Sequence, residues 1–202
     1  DAWAGLSYVR RHGPIRTVTL AIGVVMLVGT LVNTGTLPLV SESLALPESR
    51  YGTLLAIEGV GAMILAVLFV IVGPGRKLLV TGAFALIGTG ATTLLLGSAR
   101  GFELAAGALL LQGASVVALQ VAQQGGALRR RPAIFNSASG PVLVASLAQI
   151  AGYAVAGPLI EWLGPRSALV IAGLAVCFVA VPVVSLAFTM ARAERTAPAP
   201  SA

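Results

Sequence analysis

The sequence predicts an all-α polytopic membrane protein with six transmembrane helices. Three observations predict it. The 202 residues are 57% hydrophobic and only 10% charged, against about 25% charged in an ordinary soluble domain. The mean hydropathy is +0.94, so the chain could not cover its surface with polar groups in water. The apolar residues also fall into runs of roughly 20, the length that crosses a bilayer core as helix.

The runs are Thr17–Val40, Tyr51–Val72, Leu78–Ser98, Leu104–Gly125, Pro141–Leu163 and Ser167–Phe188. In lipid each backbone group needs an internal partner, and barrel strands would be about half as long and alternating, so runs of this length are helices. Helix breakers and charges separate them. Pro47-Glu48-Ser49-Arg50 follows the first run, Gly73-Pro74-Gly75-Arg76-Lys77 the second and Arg100-Gly101-Phe102-Glu103 the third. Arg129-Arg130-Arg131-Pro132 opens a longer loop, and Gly164-Pro165-Arg166 joins the last two. Residues 1–16, with Trp3, Leu6, Tyr8 and Val9 beside Arg10, Arg11 and Arg16, read as an amphipathic segment on the membrane surface. Residues 17–188 form the membrane domain, and 189–202, rich in Ala, Pro and charge, read as a disordered tail.

The net charge of +6 is a topology signal rather than a nucleic-acid footprint, because the basic residues sit in short clusters between apolar runs. With the N-terminus inside, ten of the thirteen Lys and Arg lie on the cytoplasmic side; Arg50, Arg100 and Arg166 lie outside. Both termini are therefore expected in the cytoplasm.

Polar residues inside spans cost free energy, so their placement is informative. Thr30, Asn33, Thr34 and Ser41 share one side of the first helix, and Gln112, Ser115, Gln120 and Gln123 share a broad face of the fourth. Ser139, Ser146, Gln149 and Tyr153 form a stripe on the fifth. Such stripes line an aqueous cavity or hold a bundle together by interhelical hydrogen bonds. Glu58 is the only acid or base within a span, roughly 10 Å along the helix from Tyr51 at 1.5 Å per residue. It could carry a proton, attract a cationic substrate, or sit hydrated near the rim. Gly52, Gly59, Gly61 and Ala62 around it permit close helix approach. Pro38, Pro158 and Pro182 can kink or end their helices, and Gly88 and Gly90 more weakly.

Catalytic chemistry is sparse. His12 is the only histidine and lies in the N-terminal segment; no span contains Asp, and neither a HExxH pattern nor a P-loop occurs. Cys177 is the single cysteine, in an apolar run, which excludes an internal disulfide and a cysteine-based metal site. The expectation is a protein that is not an enzyme and uses no metal, cofactor or nucleic acid.

The order of these features resembles the C-terminal half of a major facilitator superfamily transporter, over residues 4–190. Ala4 to Arg16 looks like the end of the central cytoplasmic loop, and Gly35-Thr36-Leu37-Pro38-Leu39 like the outer end of the helix that follows it. Tyr51 to Ala62 resembles the next helix of bacterial efflux-type members. Gly73 to Lys77 is similar to a shortened basic turn, without the acidic residue that typifies the N-terminal half. Ala156-Gly157-Pro158-Leu159-Ile160 with Leu163-Gly164-Pro165-Arg166 resembles the last helix junction.

The resemblance implies one six-helix half of a secondary transporter in a bacterial cytoplasmic membrane, working by alternating access on a small molecule held against an N-terminal six-helix half. Proton-coupled export is the expected activity. Glu58 is then the proton or cation site. Thr30, Asn33, Thr34, Gln112, Ser115, Gln120, Gln123, Ser146, Gln149 and Tyr153 line the cavity, Arg76 and Lys77 serve a gating turn, and the third and sixth helices are peripheral. Asp1 in place of Met leads to the expectation that the chain is an excerpt of a twelve-helix protein. The alternative is a non-transporting membrane subunit that uses its polar stripes for assembly. A channel fits less well, because polarity is spread over three helices.

Overall fold

A computed structural model gives the fold and describes residues 13–73, 78–129 and 139–196. Among these residues every element is helical. Helix α1 spans Gly13–Pro38 and continues as a π-helical turn, Leu39–Ser43. Then come α2 (Ser49–Val72), α3 (Leu78–Gly97), α4 (Phe102–Arg129), α5 (Ser139–Leu163) and α6 (Pro165–Thr196). Five stretches are long and apolar enough to cross a membrane: Leu20–Ser43, Ser49–Val72, Val80–Gly97, Phe102–Gln123 and Pro165–Thr189. Helix α5, whose side chains are described only from Ala145 onward, is not among these five.

The helix ends follow local chemistry. Gly73 (φ 77°) and Gly164 (φ 78°) take a positive φ, open to glycine at little cost, where the chain leaves a helix. Their N–H groups donate to Phe69 O and Ile160 O. Pro165 then opens α6, where its missing N–H would have had no partner. Pro158 and Pro182 lie inside α5 and α6 without ending either. Helix α6 runs to Thr196, past the end of its apolar run, because Ala-Arg-Ala-Glu-Arg favours helix; residues 197–202 lie outside the described residues. Of the expected surface segment, Gly13–Arg16 form the first turn of α1, and residues 1–12 lie outside the described residues.

The principal packing follows the order α5, α1, α6, α3, α4, α2. Sequence neighbours α1 and α2 are thus far apart in this order. The pairs α1·α5 and α2·α4 run parallel: Gly35 meets Ile160 and Gly152 meets Thr30, while Arg50 stacks over the Phe102 ring at 5.1 Å and Gly61 meets Leu110. The pairs α3·α6 and α3·α4 run antiparallel, through Gly97 against Val170 and Gly82 against Ala122. So does α1·α6, where Arg166 Nη2 donates to Ser43 O at 3.1 Å.

This packing maps onto itself when α1, α2 and α3 are exchanged with α4, α5 and α6. The pair α2·α4 becomes α5·α1, α3·α4 becomes α6·α1, and α3·α6 exchanges its own members. Direction is preserved throughout. Residue contacts obey the same exchange. Gly61 packs on Leu110, and Gly152 packs on Leu27 and Thr30. Gly113, one turn beyond Leu110, packs on the backbone of Glu58 and Ala62. The step from Leu27 to Leu110 equals those from Thr30 to Gly113 and from Gly90 to Gly173. Buried positions agree: Ala85, Leu86, Thr89, Gly90 and Thr93 on α3 match Ala168, Leu169, Ala172, Gly173 and Val176 on α6. Three helices apart means opposite chain direction, so the two triplets are inverted relative to each other.

The exchange axis lies at the α3·α6 crossing. A Cβ on Gly90 would fall 3.1 Å from Cys177 N and 3.3 Å from Gly173 O; one on Gly173 would fall 2.8 Å from Leu94 N and 3.0 Å from Gly90 O. Gly90 therefore does not kink α3, which is continuous, but lets α6 approach at backbone distance. Of the glycines near Glu58, Gly61 does the same against α4, whereas Gly52 and Gly59 face open space. Helices α3 and α6 are not peripheral as expected but hold the middle of the packing order, because Gly90 and Gly173 let them meet at backbone distance. Their outward faces, Phe84 and Ile87 on one and Ile171, Leu174, Phe178 and Val181 on the other, are apolar and exposed, as suits lipid contact.

Candidate functional site

The polar stripes divide once the helices are packed. Thr30 is 2% exposed, donates to Met26 O at 2.8 Å and lies against Gly152, so it belongs to the α1·α5 contact. Thr34 is half-buried and donates to Thr30 O; Asn33 beside it is exposed. On α4, Gln112 is 4% exposed and bonded across the helix pair. Its amide lies within hydrogen-bonding reach of the Thr92 hydroxyl and 3.5 Å from that of Thr93. The Thr92 hydroxyl is also 2.8 Å from Gly88 O. One proton cannot serve both, so the amide N–H₂ turned toward Thr92 would satisfy the pair. Gln112 is therefore an interhelical fastener in a buried contact.

Ser115 is half-buried, donates to Leu111 O at 2.9 Å and faces Gly88, where a Cβ would fall 2.7 Å from its Oγ. Gln120 is exposed and Gln123 half-buried. Gln112 and Gln123 point the same way from the helix axis, and Gln112 meets the α3 hydroxyls of Thr92 and Thr93. On α5, Ser146, Gln149 and Tyr153 follow one another at helical spacing, and all three are exposed, Tyr153 by 57%. This is the clearest accessible polar stripe. Ser139 starts α5, and its side chain lies outside the described residues, as do Arg76 and Lys77.

Glu58 is half-buried on α2, three residues before Gly61, and its carbonyl is the atom that a Cβ on Gly113 would strike. Arg50, Glu103 and Arg166 sit in the first turns of their helices and Glu42 in the π-helical turn that ends its span, which leaves Glu58 as the acidic or basic side chain deepest in the five candidate spans. Among the described residues no three His, Cys, Asp or Glu side chains are grouped closely enough to hold a metal ion. Exposed polar residues on α1, α4 and α5, with Glu58 on α2, offer neutral donors and acceptors and one carboxyl.

Two features escaped the sequence reading. The Thr92–Thr93–Gln112 contact was hidden because α3 looked polar only in hydroxyls, which bond their own helix at Gly88 O and Thr89 O. The inverted repeat was written as Ala85-Leu86 with Gly90 and Ala168-Leu169 with Gly173, the same residues at the same spacing in the third and sixth helices. No protein-family model, curated protein or solved structure matches this chain.

Proposed function

We propose that this chain is one six-helix half of a secondary transporter of the major facilitator type, all six helices crossing the membrane with both termini in the cytoplasm. It completes its cavity against an N-terminal six-helix half and exports a small molecule by alternating access, coupled to protons. The observation that carries the reading is the inverted three-helix repeat, an architecture common among secondary transporters, where it places the site at the interface of repeats near the midplane. The mostly neutral residues Asn33, Thr34, Gln120, Ser146, Gln149 and Tyr153 suit an amphipathic substrate, and Glu58 is the coupling candidate. Arg76 and Lys77 are assigned to the cytoplasmic turn.

Thiol labelling tests this without knowledge of the substrate. In a Cys177→Ala background of the native full-length protein, single cysteines at Gln120, Gln149 and Tyr153 are exposed to a membrane-impermeant thiosulfonate from either side of vesicles. Alternating access leads to labelling from both sides. Cysteines that label from neither side would overturn it in favour of the assembly subunit, a reading supported by the buried Gln112–Thr92 contact. Labelling from one side only would also overturn it.

A further inference from the structure

We infer that Gln149 is the counterpart of Glu58 in the second triplet, and that a single positive charge passes both, so that Gln149 is a specificity-determining residue whose replacement by a carboxylate can take over from Glu58. The inference rests on the transport reading above.

The two residues are placed by the same contact. Gly61 sits where α2 touches α4, and Gly152 sits where α5 touches α1. Glu58 is three residues before the first glycine and Gln149 three before the second. The register is not set by the glycines alone. Leu54, Ile57, Leu65 and Phe69 are withdrawn from solvent on α2, and the equivalent Ala145, Ala148, Ala156 and Ile160 are withdrawn on α5. Both helices occupy the ends of the packing order, each beside one of the exchanged helices α4 and α1. Glu58 and Gln149 therefore stand at the same angle beside the same kind of neighbour, on opposite arms of the inverted pair.

Glu and Gln have nearly the same shape and differ in charge. The fold thus presents two polar positions related by the exchange, half-buried at Glu58 and exposed at Gln149, and puts a carboxyl at only one of them. A monovalent cation, a proton or an organic ammonium, would be held by that one carboxylate, while the amide at the other position offers hydrogen bonds without a second charge. A dication would call for acids at both.

The test uses the native full-length protein in inverted membrane vesicles, with ethidium as the monocation probe and a proton gradient that is followed by acridine fluorescence. Glu58→Gln loses gradient-driven ethidium accumulation. Glu58→Gln with Gln149→Glu recovers most of it. Glu58→Gln with Ser146→Glu, a carboxylate on α5 one turn from the equivalent position, does not. Gel filtration in detergent checks that each variant is folded.

If Glu58→Gln still equilibrates ethidium downhill, the carboxylate carries the proton; if downhill movement is lost as well, it holds the ammonium. A native protein that moves ethidium, with a double variant that is folded and inactive, overturns the assignment of Gln149 and leaves the transport reading intact. Recovery at Ser146 as well would overturn it too, since position would then not matter. A native protein that moves no ethidium overturns the monocation inference, while the labelling experiment judges alternating access independently.

Discussion

Gly90 and Gly173 lie against each other's backbone where α3 crosses α6, each occupying the place that a side chain on the other helix would need. Two glycines at one crossing allow α3 and α6 to meet by backbone contact, which is the main source of helix association where lipid is as apolar as leucine.

Enlarging either residue is expected to loosen this crossing. Gly90→Leu and Gly173→Leu should each destabilise the fold by about 1–3 kcal/mol, the cost of overpacking a close contact. Gly52→Ala and Gly59→Ala, where a Cβ meets nothing, should not lower stability. Thermal unfolding in detergent reads both classes.

The Gln112 contact leads to an asymmetry. Thr92 and Thr93 keep acceptors in their own helix, so Gln112→Leu should cost little. Thr92→Val with Thr93→Val strands the buried amide and should cost about 1–3 kcal/mol, the usual penalty for an unsatisfied buried polar group. A mutant cycle that gives equal costs for the two sides would show that the amide has another partner.

Arg166 ties the first turn of α6 to the irregular end of α1. That end combines a π-helical turn with Ala45, a non-glycine residue at φ 50°. Such a segment is held by its surroundings rather than by its own geometry. Arg166→Ala is expected to speed hydrogen exchange of the Leu44 and Leu46 amides, which donate to Leu39 O and Val40 O, without affecting the Gly73 amide at the far end of α2.

Trp162 is 86% exposed beside Glu161, in the last turn of α5. Its amphipathic ring suits the headgroup boundary. With Trp3→Phe as background, lipids brominated near the headgroup should quench Trp162 more strongly than lipids brominated deep in the chain. Strong quenching by the deep label alone would place the end of α5 inside the hydrocarbon.

The helices were legible in the sequence because each is a long apolar run ended by Gly, Pro and charge, and those signals act locally. Neighbour choice was not. A span such as α2 is apolar all round, so Leu54, which is buried, and Leu55, which is 38% exposed, look alike. In water the polar face would have told which side turns inward; in lipid both faces are greasy and only small residues mark a contact. The stripe on α5 was visible in the sequence because Ser146, Gln149 and Tyr153 repeat at helical spacing on one helix, and all three are exposed. The stripe on α4 was not uniform, because α3 covers Gln112 and leaves Gln120 bare, and a single helix carries no information about where its neighbour crosses.

The packing order also bears on how the chain is made. Helix α2 leaves the ribosome directly after α1, but its principal partner is α4, and the principal partners of α1 are α5 and α6, which follow later in the chain. The first hairpin is therefore not a folding unit. As membrane spans, α1, α2 and α3 would enter the bilayer before any principal pair among these six helices can form. Each would then enter on its own hydrophobicity, and a mean hydropathy of 2.6 over an 18-residue window of Ser49–Val72 would offset the carboxyl of Glu58 during that wait.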